Sequence, residues 1–292
     1  VIDCGSEEFA DKAFSLLKNS SNTVKIIITH PDSDHYNGIT KLANQLLDNG
    51  NIVNIYYAHF SALSRLVEQI ENKDKRRTIQ SITNKLNGLY KGLDDKVSEI
   101  KEYCDNTGKT SRFIIRLINP TFDNISYDIA LCGPNEYELD AIYSAYVKDP
   151  THYFDNESCK NTLSLRMVLK CRDYRVIICG DYPISSEGKL KWPISNMISK
   201  HCENINEGNI TFVVPHHGKL EYIRSLIEKY KVMRLCISDN TSDNKNGGID
   251  TDNLTDADRK HIVCISKEHN RDTYTMYEHT DAVSKRTYSL WL

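Results

Sequence analysis

The sequence predicts an α/β fold. Short apolar runs rich in β-branched residues alternate with amphipathic stretches that carry Leu or Ile at helical spacing. Three of the apolar runs also end in Gly, His or Asp at the mouth of a loop, which is where a sheet presents chemical groups.

In chain order, 7–18 reads as a helix and Val24-Lys25-Ile26-Ile27-Ile28 as a buried strand. Gly38 precedes an amphipathic helix over 38–49, and 52–58 reads as the next strand. Residues 61–110 stand apart, rich in Lys, Glu, Asp, Asn and Gln, without a strand signal before 111. Leu63, Leu66 and Ile70 place a helix over 61–72; Ile82, Leu86, Leu89, Leu93, Val97 and Ile100 place a second over 77–103. We read 61–110 as a helical insertion or hairpin on the α/β body. Strands are expected at 111–118, 128–132, 162–170, 174–180, 210–214, 233–238, 262–266 and 285–291. Helices are expected at 135–147, 190–201 and 219–231, and 239–256 is a polar, Gly/Asn-rich loop.

Composition narrows the function classes. A chain of 292 residues with 39% hydrophobic and 26% charged residues can bury a sizeable core. The net charge of −3 leaves no global basic footprint, so contact with nucleic acid must come from a local patch. The sequence has no apolar run near the ~20 residues that span a bilayer. Nine cysteines fall singly at 4, 104, 132, 159, 171, 179, 202, 236 and 264, without a C-x-x-C. This argues against a disulfide framework or a Cys-type zinc site, and the expected compartment is the reducing cytoplasm. The chain opens on Val-Ile-Asp-Cys-Gly, which resembles the end of a strand, so we expect it to be part of a larger protein.

The densest chemistry lies in Thr29-His30-Pro31-Asp32-Ser33-Asp34-His35. His30, Asp32, Asp34 and His35 offer four ligands within six positions on a strand-to-helix loop, more than a capped turn requires. The other two strand ends are Cys179-Gly180-Asp181 and Val214-Pro215-His216-His217-Gly218. Together they supply enough nitrogen and oxygen for two divalent ions with a bridging carboxylate. The mixed donors suit Zn or Mn.

The order H-x-D-x-D-H, then G-D at a strand end, then P-H-H-G, resembles the metallo-β-lactamase superfamily. Asp32 stands where that family usually has a second His, a wording similar to the hydrolase domain of ComEC-type DNA-uptake proteins and their free-standing relatives. Asn161-Thr162-Leu163-Ser164-Leu165 is similar to the strand those relatives carry before G-D, and Asp3-Cys4-Gly5 to the superfamily's early Asp-x-Gly. The resemblance implies a four-layer αββα sandwich, in one domain over 1–292 that lacks its first strands and is interrupted by the 61–110 insertion. It implies that His30 and Asp32 hold one ion, and that Asp34 and His35 hold the other. Asp34 would also orient the attacking water, Asp181 would bridge, and His216 or His217 would complete the second site. The family's third-motif histidine has no match here; Asn161 occupies that neighbourhood.

The reaction implied is hydrolysis by a metal-bound hydroxide, most simply of a phosphodiester in nucleic acid. Lys73, Lys75, Arg76 and Arg77 on the insertion, and Lys189, Lys191 and Lys200 after Asp181, are candidate phosphate contacts. Some of the 17 tyrosines are candidates to stack on bases. Two other readings remain open at this point: a hydrolase of a small ester, lactone or amide, and a catalytically weak binding or regulatory module.

Overall fold

The computed structural model describes residues 1–19, 22–58, 73–118, 124–126, 128–133, 138, 141, 144–146, 148–149, 161–187, 189–215, 218–230, 233–237, 254–265, 273–277 and 288–291. The expected helix at 61–72, the loop at 239–253, His216 and His217 lie outside them. The chain is mixed α/β and divides into two compact units, Val1–Asp123 with Leu131–Leu165, and Asn124–Ala130 with Arg166–Leu292. No described helix is long and apolar enough to cross a membrane.

The first unit is built on a parallel sheet of β1 (Thr23–Ile27), β2 (Ile52–Ala58) and β3 (Phe113–Ile118), in that order. On the free side of β1 the first residues add a short parallel bridge, Ile2 to Ile27, with the Asp3 amide donating to the Ile27 carbonyl at 2.8 Å. Helices α1 (Glu7–Leu17) and α2 (Ser33–Tyr36) precede α3 (Ile39–Asp48). Helix α3 packs on α1 and β2, with Ile39, Leu42, Ala43, Leu46 and Leu47 buried. That apolar stripe at i, i+3, i+4 and i+7 spacing is what drives the helix onto the sheet.

The polar stretch after β2 forms two helices, α4 (Lys73–Leu89) and α5 (Lys91–Thr107), where the Leu/Ile spacing predicted one over 77–103. The break falls at Tyr90, whose amide donates to the Asn87 carbonyl, and Gly88 and Gly92 flank it. Glycine weakens a helix interior by about 1 kcal/mol relative to alanine, so two of them localise the break. The two helices form part of the connection between the parallel neighbours β2 and β3. Helix α5 buries Leu93, Val97, Ile100 and Cys104 and packs on α3. It ends at Gly108, whose φ of 69° makes the left-handed cap that glycine adopts without strain.

The second unit holds a seven-stranded sheet. Its strands in chain order are β4 (Asn124–Ser126), β5 (Ile129–Cys132), β6 (Arg166–Cys171), β7 (Tyr174–Ile178), β10 (Ile210–Val214), β11 (Arg234–Ile237) and β12 (Ile262–Ile265). A two-residue hairpin, β8 (Ser185–Ser186) with β9 (Lys189–Leu190), lies between β7 and β10. The spatial order is β12-β11-β10-β7-β6-β5-β4. Strands β7, β10, β11 and β12 run parallel, and β6 turns back antiparallel on β7. Parallel neighbours need crossovers. Helices α6 (Trp192–Cys202), α7 (Leu220–Lys229) and α8 (Asp256–Arg259) occupy the three connections. Phe212, Ile177, Leu235 and Ile237 are buried in this sheet. Strands β13 (Thr273–Tyr277) and β14 (Tyr288–Trp291) pair antiparallel by themselves.

One expected strand starts later than predicted. Asn161 and Thr162 are helical and Leu163 is in a turn, so β6 begins only at Arg166. The turn closes through the Ser164 amide to the Asn161 carbonyl at 3.2 Å, and the Leu165 amide then donates to the Thr29 carbonyl at 2.7 Å. The apolar run that read as a strand is instead buried beside the end of β1.

Candidate metal centre

Strand β1 delivers Thr29 and His30 to the end of the parallel sheet, and both are fully buried. Pro31 and Asp32 turn the chain into α2, which carries Asp34 and His35. Beneath them runs the first segment of the chain. The Cys4 amide donates to the His35 carbonyl and the Gly38 amide to the Cys4 carbonyl, each at 2.7 Å. This clamp requires two glycines. A Cβ on Gly5 would stand 1.7 Å from the Asp34 carbonyl oxygen, and one on Gly38 would stand 2.2 Å from the Ser6 carbonyl oxygen.

Asp3 organises the site, a role the sequence reading did not give it. It has a φ of 57°. Its carboxylate accepts from the Thr29 amide at 2.7 Å, from the Thr29 hydroxyl at 2.8 Å and from His35 Nδ1 at 2.8 Å. The carboxylate is acceptor-only, so His35 carries a proton on Nδ1, and as the neutral imidazole it has its lone pair on Nε2. The Thr29 hydroxyl has one proton, already given to Asp3. Toward His30 Nδ1, 3.1 Å away, it can only accept. His30 therefore also carries its proton on Nδ1 and presents Nε2. These tautomers follow from the hydrogen-bond network.

What the two Nε2 atoms face is a pair of carboxylates. His30 Nε2 lies 3.6 Å from Asp32 Oδ2, and His35 Nε2 lies 3.9 Å from Asp34 Oδ2. The rings are 3.9 Å apart between centroids and tilted by 57°. Lone pairs on imidazole and carboxylate brought together repel unless a cation sits between them, so the donor set fits divalent ions. The Nδ1 contacts are the outer hydrogen bonds that metal-bound histidines ordinarily make. Cys4 is no part of such a set: burial pushes its thiol up to about 12, and it stays a protonated thiol packed under the loop.

The loop is also held from α5. Gly92 has no room for a side chain, since a Cβ would meet the Tyr36 hydroxyl at 2.3 Å. Tyr90 is fully buried and stacks on Tyr57 at 6.2 Å between centroids, and the Tyr57 hydroxyl donates to Asp94 Oδ1 at 2.7 Å. Burial, with the charges of Asp32 and Asp94, pushes the Tyr90 phenol far above its ordinary value.

In the second unit, β7 ends at Ile178 and the chain turns at Gly180, with a φ of 53°, into the half-buried Asp181. Asp181 lies within electrostatic reach of Tyr222 in the first turn of α7. Burial first, then Glu221 and Asp181, push that phenol up to about 12. Strand β10 runs parallel beside β7 with Val213 opposite Ile178, so Pro215 follows at the same sheet edge as Cys179. Gly218 has a φ of 79°, and a Cβ there would meet Ile237 Cγ2 at 2.4 Å, which explains the glycine of P-H-H-G.

The predicted residues thus divide. Asp32, Asp34, His30 and His35 gather on one loop in the first unit. Asp181 stands at a strand end in the second, and His30, His35 and Asp181 each offer a ligand atom of the kind that can hold a metal ion. Asn161 is buried in the turn that leads to Leu165. The basic residues separate too. Lys189 lies in β9 and Lys191 at the start of α6, while Lys200 lies in its last turn, where burial first, and then the charges of Lys170, Lys200 and Arg175, lower the His201 pKa. Lys73, Arg76 and Arg77 are exposed on the first turns of α4.

No known protein family matches the chain, and no curated protein matches it. Among solved structures it is similar to that of unliganded yeast PDE1, at 11% identity and a TM-score of 0.39. The match covers 81% of this chain and 62% of that one, so the chain spans less than two thirds of that protein's length.

Proposed function

We propose that the chain is a metal-dependent hydrolase, a phosphodiesterase or nuclease, organised as one metallo-β-lactamase-like αββα domain over 1–292. The observation that carries this reading is the convergence of imidazole Nε2 atoms and carboxylates in the His30–His35 loop, 3.6 and 3.9 Å apart. Under this proposal His30 and Asp32 hold one ion, Asp34 and His35 a second, and Asp181 bridges them. His216 or His217 completes the second site, and Asn161 stands near the first.

Bound Zn or Mn would lower the pKa of a water at the site and offset charge that develops on the attacked group. The chain's own residues do the rest. Asp3 fixes the His35 ring and, through Thr29, the His30 ring. The Asp34 side chain is the most exposed of the loop carboxylates, placed to accept a proton from water and to orient it. The mixed nitrogen and carboxylate donors favour a two-ion site of the kind that serves phosphoryl chemistry.

The test is turnover of bis-p-nitrophenyl phosphate by metal-free protein to which Mn²⁺ or Zn²⁺ is added back. Metal-dependent turnover that is lost in Asp34→Asn supports the proposal. Turnover indifferent to metal, or unchanged in that variant, overturns it.

A further inference from the structure

The second helix of the insertion seats its first turn against the His30–His35 loop. Helix α5 packs on α2, and Gly92 comes so close to it that a Cβ would stand 2.3 Å from the Tyr36 hydroxyl. Two residues earlier, Tyr90 caps α5 and is fully buried. Its ring stacks on that of Tyr57 at 6.2 Å between centroids, with 25° between the planes. Tyr57 lies near the end of β2, where the Ile28 amide donates to the Tyr56 carbonyl at 2.9 Å. It therefore stands beside the end of the strand that delivers His30. Tyr90 is thus bracketed by α2 and by the end of the parallel sheet. Asp32, the cap residue of α2, joins these same two elements.

A buried phenol ordinarily gives its proton to an acceptor. Two carboxylates bring their charge to Tyr90, those of Asp32 and Asp94. Burial first, and then these charges, raise the phenol's pKa, so the hydroxyl keeps its proton and stays a donor. Asp94 Oδ1 already receives the Tyr57 hydroxyl at 2.7 Å. Asp32 turns Oδ2 toward His30 Nε2, 3.6 Å away, which leaves Oδ1 for a donor from another element.

We infer that Tyr90 is a positioning residue of the candidate metal centre: its hydroxyl is directed at Asp32 and holds that carboxylate toward an ion beside His30. The inference rests on the reading of His30 and Asp32 as ligands to one ion, and it gives the insertion a part in the chemistry. Tyr57, stacked on Tyr90 but bonded to Asp94, supplies the control.

The test is Mn²⁺ binding by metal-free protein, read from the electron paramagnetic resonance signal of the free ion with no substrate present. Tyr90→Phe keeps the ring and its stack and lacks only the hydroxyl, so its circular dichroism spectrum and urea midpoint match those of unmodified protein. It weakens one ion about ten-fold or more and leaves the other within about three-fold, whereas Tyr57→Phe leaves both within about three-fold. In an Asp32→Asn background Tyr90→Phe has no further effect, because the hydroxyl acts through that carboxylate. Unchanged binding in Tyr90→Phe, equal losses in Tyr57→Phe, or a loss that adds in full to that of Asp32→Asn overturns the inference; equal losses mark a packing role for the stacked pair. Unchanged Mn²⁺ binding in a Tyr90→Phe protein that turns over bis-p-nitrophenyl phosphate sinks this inference alone. Unmodified protein that binds no Mn²⁺ overturns the metal-dependent reading and this inference together.

Discussion

Asp3 shows how one carboxylate can set the chemistry of two imidazoles. It accepts from His35 Nδ1 directly and from the Thr29 hydroxyl, which leaves the Thr29 oxygen able only to accept from His30. Asp3→Asn replaces an acceptor with a group that can donate, and both rings lose their defined tautomer. We expect metal affinity to fall about 10–100-fold, read by competition with a chelator, while the circular dichroism spectrum is unchanged. Asp34→Asn acts differently. Its side chain is 61% exposed, so stability should move by no more than about 0.5 kcal/mol. Turnover should drop by more than about 100-fold, since the water loses its oriented acceptor. Cys4 gives a prediction in pH. Its folded pKa, near 12, lies above the ordinary value of 9.0, so the folded state keeps a proton that the unfolded chain releases. Its contribution is complete below about pH 9 and is lost as pH rises toward 12. Chemical denaturation from pH 8 to 11 should show a decline that is shallower in Cys4→Ala; parallel curves would contradict that burial.

At the scale of elements, the His30–His35 loop depends on neighbours that leave it no slack. Gly5→Ala drives a Cβ into the Asp34 carbonyl at 1.7 Å, backbone against backbone, so neither side can give way cheaply. We expect a loss of about 1–3 kcal/mol in stability together with weakened metal binding. A stable variant with native metal content would show that the clamp is not needed. The four ligand-type residues on that loop were legible in the sequence because alternation after a β-branched strand is a local pattern. Asp3 was visible only as part of Asp-x-Gly, since its work is done 26 and 32 residues away, on Thr29 and His35. The break at Tyr90 was missed because Leu and Ile keep helical spacing across it, and only the glycines at 88 and 92 signalled it. Residues 162–165 were read as the start of the 162–170 strand from their apolar side chains, and a turn won because the backbone pairs locally and then with Thr29.

For the whole molecule, the alternation of apolar runs and amphipathic stretches gave the α/β class. Periodicity carries element type but not strand order. That β7 lies between β6 and β10 follows from a local hairpin, with Cys171 against Tyr174, and from a parallel pairing such as Val176 with Thr211 that no local pattern encodes. The core of the first unit rests on α3. Leu42 and Leu46 are fully buried, and Leu46→Ala should cost about 2–5 kcal/mol in urea denaturation. With a net charge of −3 spread over 292 residues, attraction for a polyanion has to be local.

The most direct test of the central claim is metal content, by mass spectrometry on protein loaded with Mn²⁺ or Zn²⁺ and then desalted. The account predicts about two ions per chain, reduced in His35→Ala and in Asp181→Ala. Protein that keeps no stoichiometric metal, or variants that retain the full complement, would contradict it.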